Sequence, residues 1–213
     1  SNFTQTLGQA IHTTYEPYQT IGIKREDEYI QINTNILQIE NEYYSSIRPK
    51  RTTLSGETPR HALTERGVEY IEVRCLDLNP FLALGISDKQ SDFMDVFLNY
   101  CLLKDSPVID DKECQDLDGN FDLVVNQGRK PGLKLQDKTE TKTLQAWGNE
   151  LLSGMSEVAK VLDLATNDQR YSKALAEQQA KLDSPELTPS AQVLAVMQQE
   201  ELSWLEFAGE LSK

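Results

Sequence analysis

The sequence predicts an α+β fold in which a strand-bearing first part is followed by a helical remainder. Two segments in the first part, 29–40 and 68–78, are rich in β-branched and aromatic residues and predict strands. Beyond them, apolar residues recur mainly at helical spacing. We therefore expect two regions, residues 1–82 carrying the strands and residues 83–213 forming a helical region.

The first region also contains a predicted helix and a long connection. Apolar side chains recur every four residues across 3–18, which indicates a helix, and Gly22 ends that pattern. Between the two strand segments lies a long connection that contains Arg48-Pro49 and a Ser-Gly-Glu-Thr-Pro run. An irregular loop of this length inside a compact domain usually has a functional reason.

The second region predicts a series of helices with apolar faces. Their ranges are 92–103, 111–127, 143–164, 167–182 and a last one beginning at Thr188. Segment 92–103 is apolar on nearly every side, so we expect a buried helix, capped by Ser91 or Asp92 and holding Cys101 as a buried thiol. Gly119 leaves a short strand as the alternative for 111–127, and the Gly-Arg-Lys-Pro-Gly-Leu run at 128–133 predicts a turn.

Composition excludes several function classes. With 34 acidic and 21 basic residues the net charge is −13, which disfavours a nucleic-acid partner. No apolar run approaches the length of a membrane span. Three widely spaced cysteines and two histidines do not match a zinc site. We expect a reduced, cytoplasmic protein.

Because the chain opens with Ser-Asn-Phe, without Met, and enters an amphipathic stretch at once, we also expect a fragment.

One part of this acidic chain is locally basic. Between positions 45 and 66 five basic side chains face two acidic ones, Glu57 and Glu65. The basic residues are Arg48, Lys50, Arg51, Arg60 and Arg66. A local surplus of positive charge suits a small anion such as a nucleotide, and a solvated basic loop is the alternative.

The segment 67–77 carries the clearest chemical pattern. Strand residues alternate between faces, so Tyr70, Glu72 and Arg74 share one face, and the residues between them, Ile71, Val73 and Cys75, form a predicted core face. A carboxylate is a suitable Mg²⁺ ligand, and a guanidinium can bind phosphate oxygens in a fork. The pattern fits an ATP site, and a surface ion pair is the alternative.

A second polar segment, 33–44, runs into the basic residues. It combines amides and carboxylates with the pair Tyr43-Tyr44. Either tyrosine is able to stack on a base, while Arg48 and Arg51 are able to neutralise phosphates. Polar side chains at a sheet edge are the alternative interpretation.

These motifs resemble those of the proteobacterial glutamate–cysteine ligases. The matching stretches are Asn-Ile-Leu-Gln-Ile-Glu-Asn-Glu-Tyr-Tyr (35–44), Ile-Arg-Pro-Lys-Arg (47–51), Ser-Gly-Glu (55–57), the run 68–81 and Gly-Arg-Lys-Pro-Gly-Leu (128–133). They follow the family's order at similar separations. The likeness is strong over 21–81 and looser beyond.

The resemblance implies a specific activity and site. The family uses ATP and Mg²⁺ to convert the γ-carboxylate of glutamate into an acyl phosphate, which the amine of cysteine attacks. It implies antiparallel strands of a glutamine-synthetase-like catalytic sheet. Carried over by motif, Glu72 is a metal ligand, Arg74 contacts the transferring phosphate and Tyr44 lies in the nucleotide region. For Arg48, Arg51, Asn41 and Glu42 it implies proximity to the nucleotide.

The resemblance also implies what this chain does not contain. Most of the family's metal-binding carboxylates, and its glutamate- and cysteine-binding residues, belong to an N-terminal half, so we expect the fragment by itself to be inactive. Cys75 stands where the family often has Ser. Missing strands would leave an open sheet edge, which predicts self-association.

Two other interpretations stay open. One is a non-catalytic helical interaction module that uses the apolar stripes at 144–162 and 193–207. The other is a different ATP-dependent carboxylate–amine ligase of the same fold, which would differ only in its amine acceptor.

Overall fold

The computed structural model describes residues 2–212, which divide between Asp77 and Leu78 into two compact units. The secondary structure consists of helices and three antiparallel strand pairs, a mixed, helix-rich architecture. The elements of the first unit are α1 (Phe3–Ala10), α2 (Glu16–Ile21), β1 (Lys24–Arg25), β2 (Glu28–Tyr29), a 3-10 turn (Glu40–Glu42), β3 (Ile47–Lys50), α3 (Pro59–Arg66) and β4 (Tyr70–Val73).

The single helix predicted across 3–18 is wrong, because the chain forms two shorter ones. Helix α1 follows its N-cap Asn2, whose side chain accepts a hydrogen bond from the amide of Gln5 at 3.0 Å. Past α1 the backbone leaves the helix, and the Tyr15 amide donates to the Thr34 carbonyl at 2.8 Å. Helix α2 then starts with Pro17 in its first turn, where a missing N–H does no harm.

The strand predicted across 29–40 is also wrong beyond its first residue. Glu28–Tyr29 pairs with Lys24–Arg25, and farther along Asn35 forms only an isolated antiparallel bridge with Thr14. In the rest, amide side chains replace the strand ladder: Gln38 accepts from the Ile32 amide at 2.7 Å, and Asn35 donates to the Ile11 carbonyl at 2.7 Å. Asn and Gln side chains compete for backbone partners in this way, which favours turns over strands.

The long connection predicted as irregular contains β3 and α3, and the strand predicted at 68–78 narrows to Tyr70–Val73. The predicted core face of that strand is not a core in the described structure. Ile71 is 43% exposed and Cys75 is exposed, while Val73 is half-buried. Two strands alone do not supply a second layer to cover this face.

The second unit is mainly helical. Its elements are α4 (Asp88–Leu103), α5 (Asp111–Gln127), β5 (Lys134–Asp137), β6 (Glu140–Thr143), α6 (Leu144–Thr166), α7 (Arg170–Asp183), a 3-10 turn (Pro185–Leu187), α8 (Pro189–Gln199) and α9 (Trp204–Leu211). Helices α4, α6 and α7 share a core that contains Val96, Met155, Ala159, Tyr171 and Leu175.

Several helix predictions are confirmed and two need correction. Helix α5 spans 111–127 and continues through Gly119. Helix α4 starts earlier than predicted because Ser87, rather than Ser91 or Asp92, accepts from the Gln90 amide. Its last turn is not buried, since Leu102 is 81% exposed and the thiol of Cys101 is also exposed.

The pair β5–β6 and the division of the last helix were not predicted. Asn120 on α5 holds the pair in place, donating to the Gln136 carbonyl at 2.7 Å and accepting from its amide at 2.8 Å. The helix predicted from Thr188 onward is two helices, because a capping box between Ser203 and Glu206 starts α9 afresh.

Candidate functional site

The polar site is built on the antiparallel pair β3–β4. In its register Arg48 lies opposite Glu72 and Lys50 lies opposite Tyr70. Residues two apart on a strand share a face, so Arg48 and Lys50 lie on the same face as Glu72. The hydrogen bond from the Arg74 amide to the Ser46 carbonyl, 2.7 Å, continues the pairing past the strand end.

Glu72 is surrounded by three cations on this face. Its Oε2 accepts from Arg48 Nη2 at 2.8 Å and lies 3.9 Å from Lys50 Nζ. Its Oε1 lies 2.8 Å from Arg74 Nη2. The predicted pair Glu72 and Arg74 therefore share a face and remain partly accessible to solvent, with 32% and 34% of their side chains exposed.

Charge on this face is strongly unbalanced. The guanidinium of Arg74, and after it that of Arg48, lowers the pKa of Glu72 from 4.5 to about 2. The carboxylate is therefore charged at neutral pH, and three cations against one anion leave two positive charges in excess. A surplus of this kind, reachable from solvent, favours an anionic ligand.

The tyrosine pair lies beside the same cations. The Arg48 Nη1 donates to the Tyr43 carbonyl at 2.7 Å, and the Tyr43 ring packs edge-on against Phe3 at 5.3 Å between centroids. The Arg74 guanidinium lies over the Tyr44 ring, 5.2 Å from its centroid. Tyr44 is 68% exposed, so its ring is available for stacking.

The predicted residue Arg51 has different contacts. Its Nη1 donates to the Arg66 carbonyl at 2.9 Å, and its Nε lies 3.7 Å from Glu69. Glu42, predicted only to lie near the nucleotide, accepts from the Gln38 amide at 2.6 Å. Of the predicted site residues, the structure brings Tyr44, Arg48, Glu72 and Arg74 together.

Lys50 joins the site although it was not among the predicted site residues. The sequence feature that could have identified Lys50 is the spacing Arg48-Pro49-Lys50. If this segment is a strand, the two cations lie on the same face. The segment was interpreted as a loop, where this spacing carries no such meaning. Strand pairing with β4 is therefore what adds Lys50.

The described residues by themselves do not fit a Mg²⁺ ion. Mg²⁺ requires near-octahedral coordination by oxygens, whereas within residues 2–212 no three His, Cys, Asp or Glu side chains group together as metal ligands. Both oxygens of Glu72 are moreover paired with cations.

Across residues 2–212, none of the helices combines the length and apolar character needed to cross a membrane.

Comparison with known proteins identifies related chains. Residues 1–124 match the family model described as glutamate-cysteine ligase. A glutamate–cysteine ligase of Pseudomonas putida strain W619 is 50% identical over 208 residues, 98% of this chain and 40% of the relative. One of Pseudomonas aeruginosa strain LESB58 is 52% identical over 198 residues, 93% of this chain and 37% of the relative.

A solved structure is similar in three dimensions. The crystal structure of the glutamate–cysteine ligase of Francisella tularensis in complex with AMP superposes with a TM-score of 0.89 at 36% identity, over 99% of this chain and 41% of that one. The present chain thus spans about 40% of the length of the relatives that it matches.

Proposed function

Because the chain belongs to the glutamate–cysteine ligase family, we propose that it forms part of an ATP-dependent enzyme that joins the γ-carboxylate of glutamate to the amine of cysteine, the first step of glutathione synthesis. An acyl phosphate of glutamate is the intermediate. The chain supplies part of the nucleotide site, and the remaining length found in its relatives supplies the rest.

The observation that carries this proposal is the β3–β4 register, which groups Arg48, Lys50 and Arg74 around Glu72. Tyr44, whose ring lies under the Arg74 guanidinium, is beside them. A surplus of cations next to an exposed aromatic ring suits a nucleotide, which combines a phosphate with a base. The AMP in the Francisella tularensis relative supports the choice of ligand.

The chemistry assigned to these side chains is electrostatic. In phosphoryl transfer, charge develops on the oxygens of the moving group, and positioned cations stabilise it. We assign the contact with the transferring phosphate to Arg74, since its side chain is 34% exposed and its guanidinium lies beside Glu72. Tyr44 stacks on the nucleotide. The contact predicted for Arg51 stays a prediction.

Glu72 is proposed as one Mg²⁺ ligand of a site that carboxylates outside this chain complete. The ion would supply positive charge to the phosphates when bound. The strands β3 and β4 are proposed to belong to an antiparallel catalytic sheet of the glutamine synthetase kind, within a region 1–82 that precedes a helical region 83–213.

The family favours the ligase over the helical interaction module, and burial of part of each apolar stripe supports that choice. Met155, in the middle of the stripe at 144–162, is buried in the core of the second unit. In the second stripe Val193 and Phe207 are buried, whereas Leu194 and Leu205 are exposed. Apolar side chains that fill a core are not available to a partner. The remaining alternative is a ligase of the same fold that uses a different amine acceptor. An assay in which other amines replace cysteine distinguishes the two enzymes by which amine supports the reaction.

The test is an assay with ATP, Mg²⁺, glutamate and cysteine, on this chain alone and with the N-terminal half of a relative added in trans. We expect activity only in the mixture. Glu72→Gln should lower the rate about a hundred- to a thousandfold, as loss of a transition-state contact does elsewhere. Glu65→Gln, which removes an exposed carboxylate of α3, is the matched control. No activity with a folded partner contradicts the proposal.

A further inference from the structure

The contacts around Glu72 form a closed ring through both strands. Arg48 joins the Tyr43 carbonyl to Glu72, at 2.7 Å and 2.8 Å. Glu72 continues to Arg74 at 2.8 Å, and Arg74 lies over the ring of Tyr44. The peptide bond between Tyr43 and Tyr44 closes the ring. Each member therefore limits the position of its neighbours.

Both terminal nitrogens of Arg48 are engaged inside this ring. Its Nη1 and Nη2 each hold one of the two contacts, and its Nε is buried without a hydrogen-bond partner among the described residues. Only 14% of its side chain is exposed, against 34% for both Lys50 and Arg74. A ligand arriving from solvent meets those two cations more readily than Arg48.

The shape of the guanidinium suits a connecting role. Arginine presents its donors in a rigid planar fork, so one side chain holds two acceptors in a fixed relation. Here the acceptors are a backbone carbonyl and a carboxylate that belong to different segments of the chain. A lysine ammonium concentrates its donors at one atom and does not reproduce this span.

We propose that Arg48 is a positioning residue: it ties the Tyr43 carbonyl to Glu72, and thereby fixes Tyr44 and Arg74 for nucleotide binding without itself contacting the nucleotide. This replaces the nucleotide contact predicted for Arg48 from the sequence. The inference rests on the proposed nucleotide site for its functional consequence, while its structural part is testable without any ligand.

The structural part is tested by fluorine NMR of the chain labelled with 3-fluorotyrosine, with the Tyr44 signal assigned by its loss in Tyr44→Phe. In the unmodified chain the Tyr44 signal should differ from that of free fluorotyrosine, because a cation lies over the ring. Arg48→Met should move the signal toward the free value. Lys50→Met, which removes a cation from the same strand face, should leave it in place.

Two further measurements separate positioning from a simple loss of charge. Arg48→Lys keeps the charge and should still displace the Tyr44 signal. Adding methylguanidinium to Arg48→Met should restore the signal, because the small cation can occupy the space of the missing fork. Circular dichroism shows whether each variant is folded, and Arg48→Lys serves for the comparison if Arg48→Met does not fold.

The functional part uses AMP as the probe. Arg48→Met should bind AMP about tenfold more weakly, and methylguanidinium should restore affinity together with the Tyr44 signal. An unmoved Tyr44 signal in a folded Arg48 variant overturns the proposal, and lost AMP affinity with that signal unmoved identifies a direct contact instead. If the unmodified chain binds no AMP while Arg48→Met displaces Tyr44, positioning stands and the proposed nucleotide site fails.

Discussion

Glu57 and Arg66 form an ion pair through two parallel hydrogen bonds, each of 2.7 Å, from Nη1 to Oε1 and from Nη2 to Oε2. The same carboxylate accepts from the Leu54 amide at 2.8 Å and lies 3.0 Å from His61 Nδ1. Only 8% of the Glu57 side chain is exposed. Glu57 thus fastens the segment after β3 to helix α3.

This pair predicts a pH dependence of local stability. Hydrogen bonds from Arg66, and then from the Leu54 amide, hold the pKa of Glu57 well below its usual 4.5. A carboxyl whose folded pKa is lowered stabilises the fold above its unfolded pKa, and this contribution is lost as the pH falls through the folded value. We expect amide-exchange protection factors in 54–66 to be lower in Glu57→Gln than in the unmodified chain at pH 7, and the difference to shrink below pH 4.5.

Glu65→Gln is the matched control, since it removes an exposed carboxylate from the same helix. It should change these protection factors little at any pH. Equal protection in Glu57→Gln and the unmodified chain at pH 7 would show that the pair does not fasten this segment.

The junction between α6 and α7 predicts a second effect. Buried Asp163 accepts from the amides of Tyr171 and Ser172, at 2.9 Å and 3.1 Å, at the start of α7. Asp163→Ala leaves the buried Tyr171 amide and the part-buried Ser172 amide without this acceptor, so we expect the free energy of unfolding to fall by about 1–3 kcal/mol. Urea unfolding followed by Trp fluorescence measures it. Glu157→Ala, at an exposed position of α6, should change stability by less than about 0.5 kcal/mol.

Replacing a helical glycine by alanine is expected to have opposite effects on stability at Gly119, in α5, and at Gly154, in α6. At Gly119 an added methyl group meets nothing within 4 Å, so Gly119→Ala should stabilise the chain by about 0.4–1 kcal/mol through reduced unfolded-state entropy. At Gly154 the methyl carbon would lie 2.7 Å from the Tyr100 hydroxyl and 3.0 Å from ring carbons. We therefore expect Gly154→Ala to destabilise by about 1–3 kcal/mol. Calorimetry of both variants checks the contrast, and equal effects would contradict it.

The geometry of the site predicts that Arg74 contributes more than Arg51 to AMP binding. Arg74 faces Glu72 and Tyr44, whereas Arg51 contacts Glu69 and the Arg66 carbonyl. If Arg74 binds phosphate, Arg74→Met should weaken AMP binding about ten- to a hundredfold, the loss expected for a charged hydrogen bond. We expect a smaller loss for Arg51→Met. Titration calorimetry with AMP measures both, and a greater loss at Arg51 would move the proposed phosphate contact there.

Exposed apolar surface predicts self-association of the chain. In the part that the structure describes, β3 and β4 pair only with each other, and Val68, just before β4, and Ile71, within it, are exposed. Unpaired strand edges and apolar patches favour association. Light scattering should show dimers or larger species, reduced in Ile71→Lys and unchanged in Thr53→Lys, which adds the same charge at another exposed position. A monodisperse monomer would count against this prediction.

The sequence by itself determined the features that depend on local spacing. The motifs around 35–51 and 68–81 carried the family resemblance, which the family model and the relatives confirm. The apolar stripe of α6 predicted its helix nearly to the residue. Alternation along a strand placed Glu72 and Arg74 on one face, and their side chains meet there. These features depend only on residues close together in the chain.

The tertiary structure decided which segments meet. Pairing of β3 with β4 added Lys50 to the site and set Arg48 opposite Glu72, whereas the contacts of Arg51 lie with Glu69 and Arg66. Side-chain amides, rather than a strand ladder, shaped the segment after β2. The reason is that strand register joins segments distant in sequence. Side-chain-to-backbone hydrogen bonds likewise form with partners that neither helical nor strand periodicity identifies.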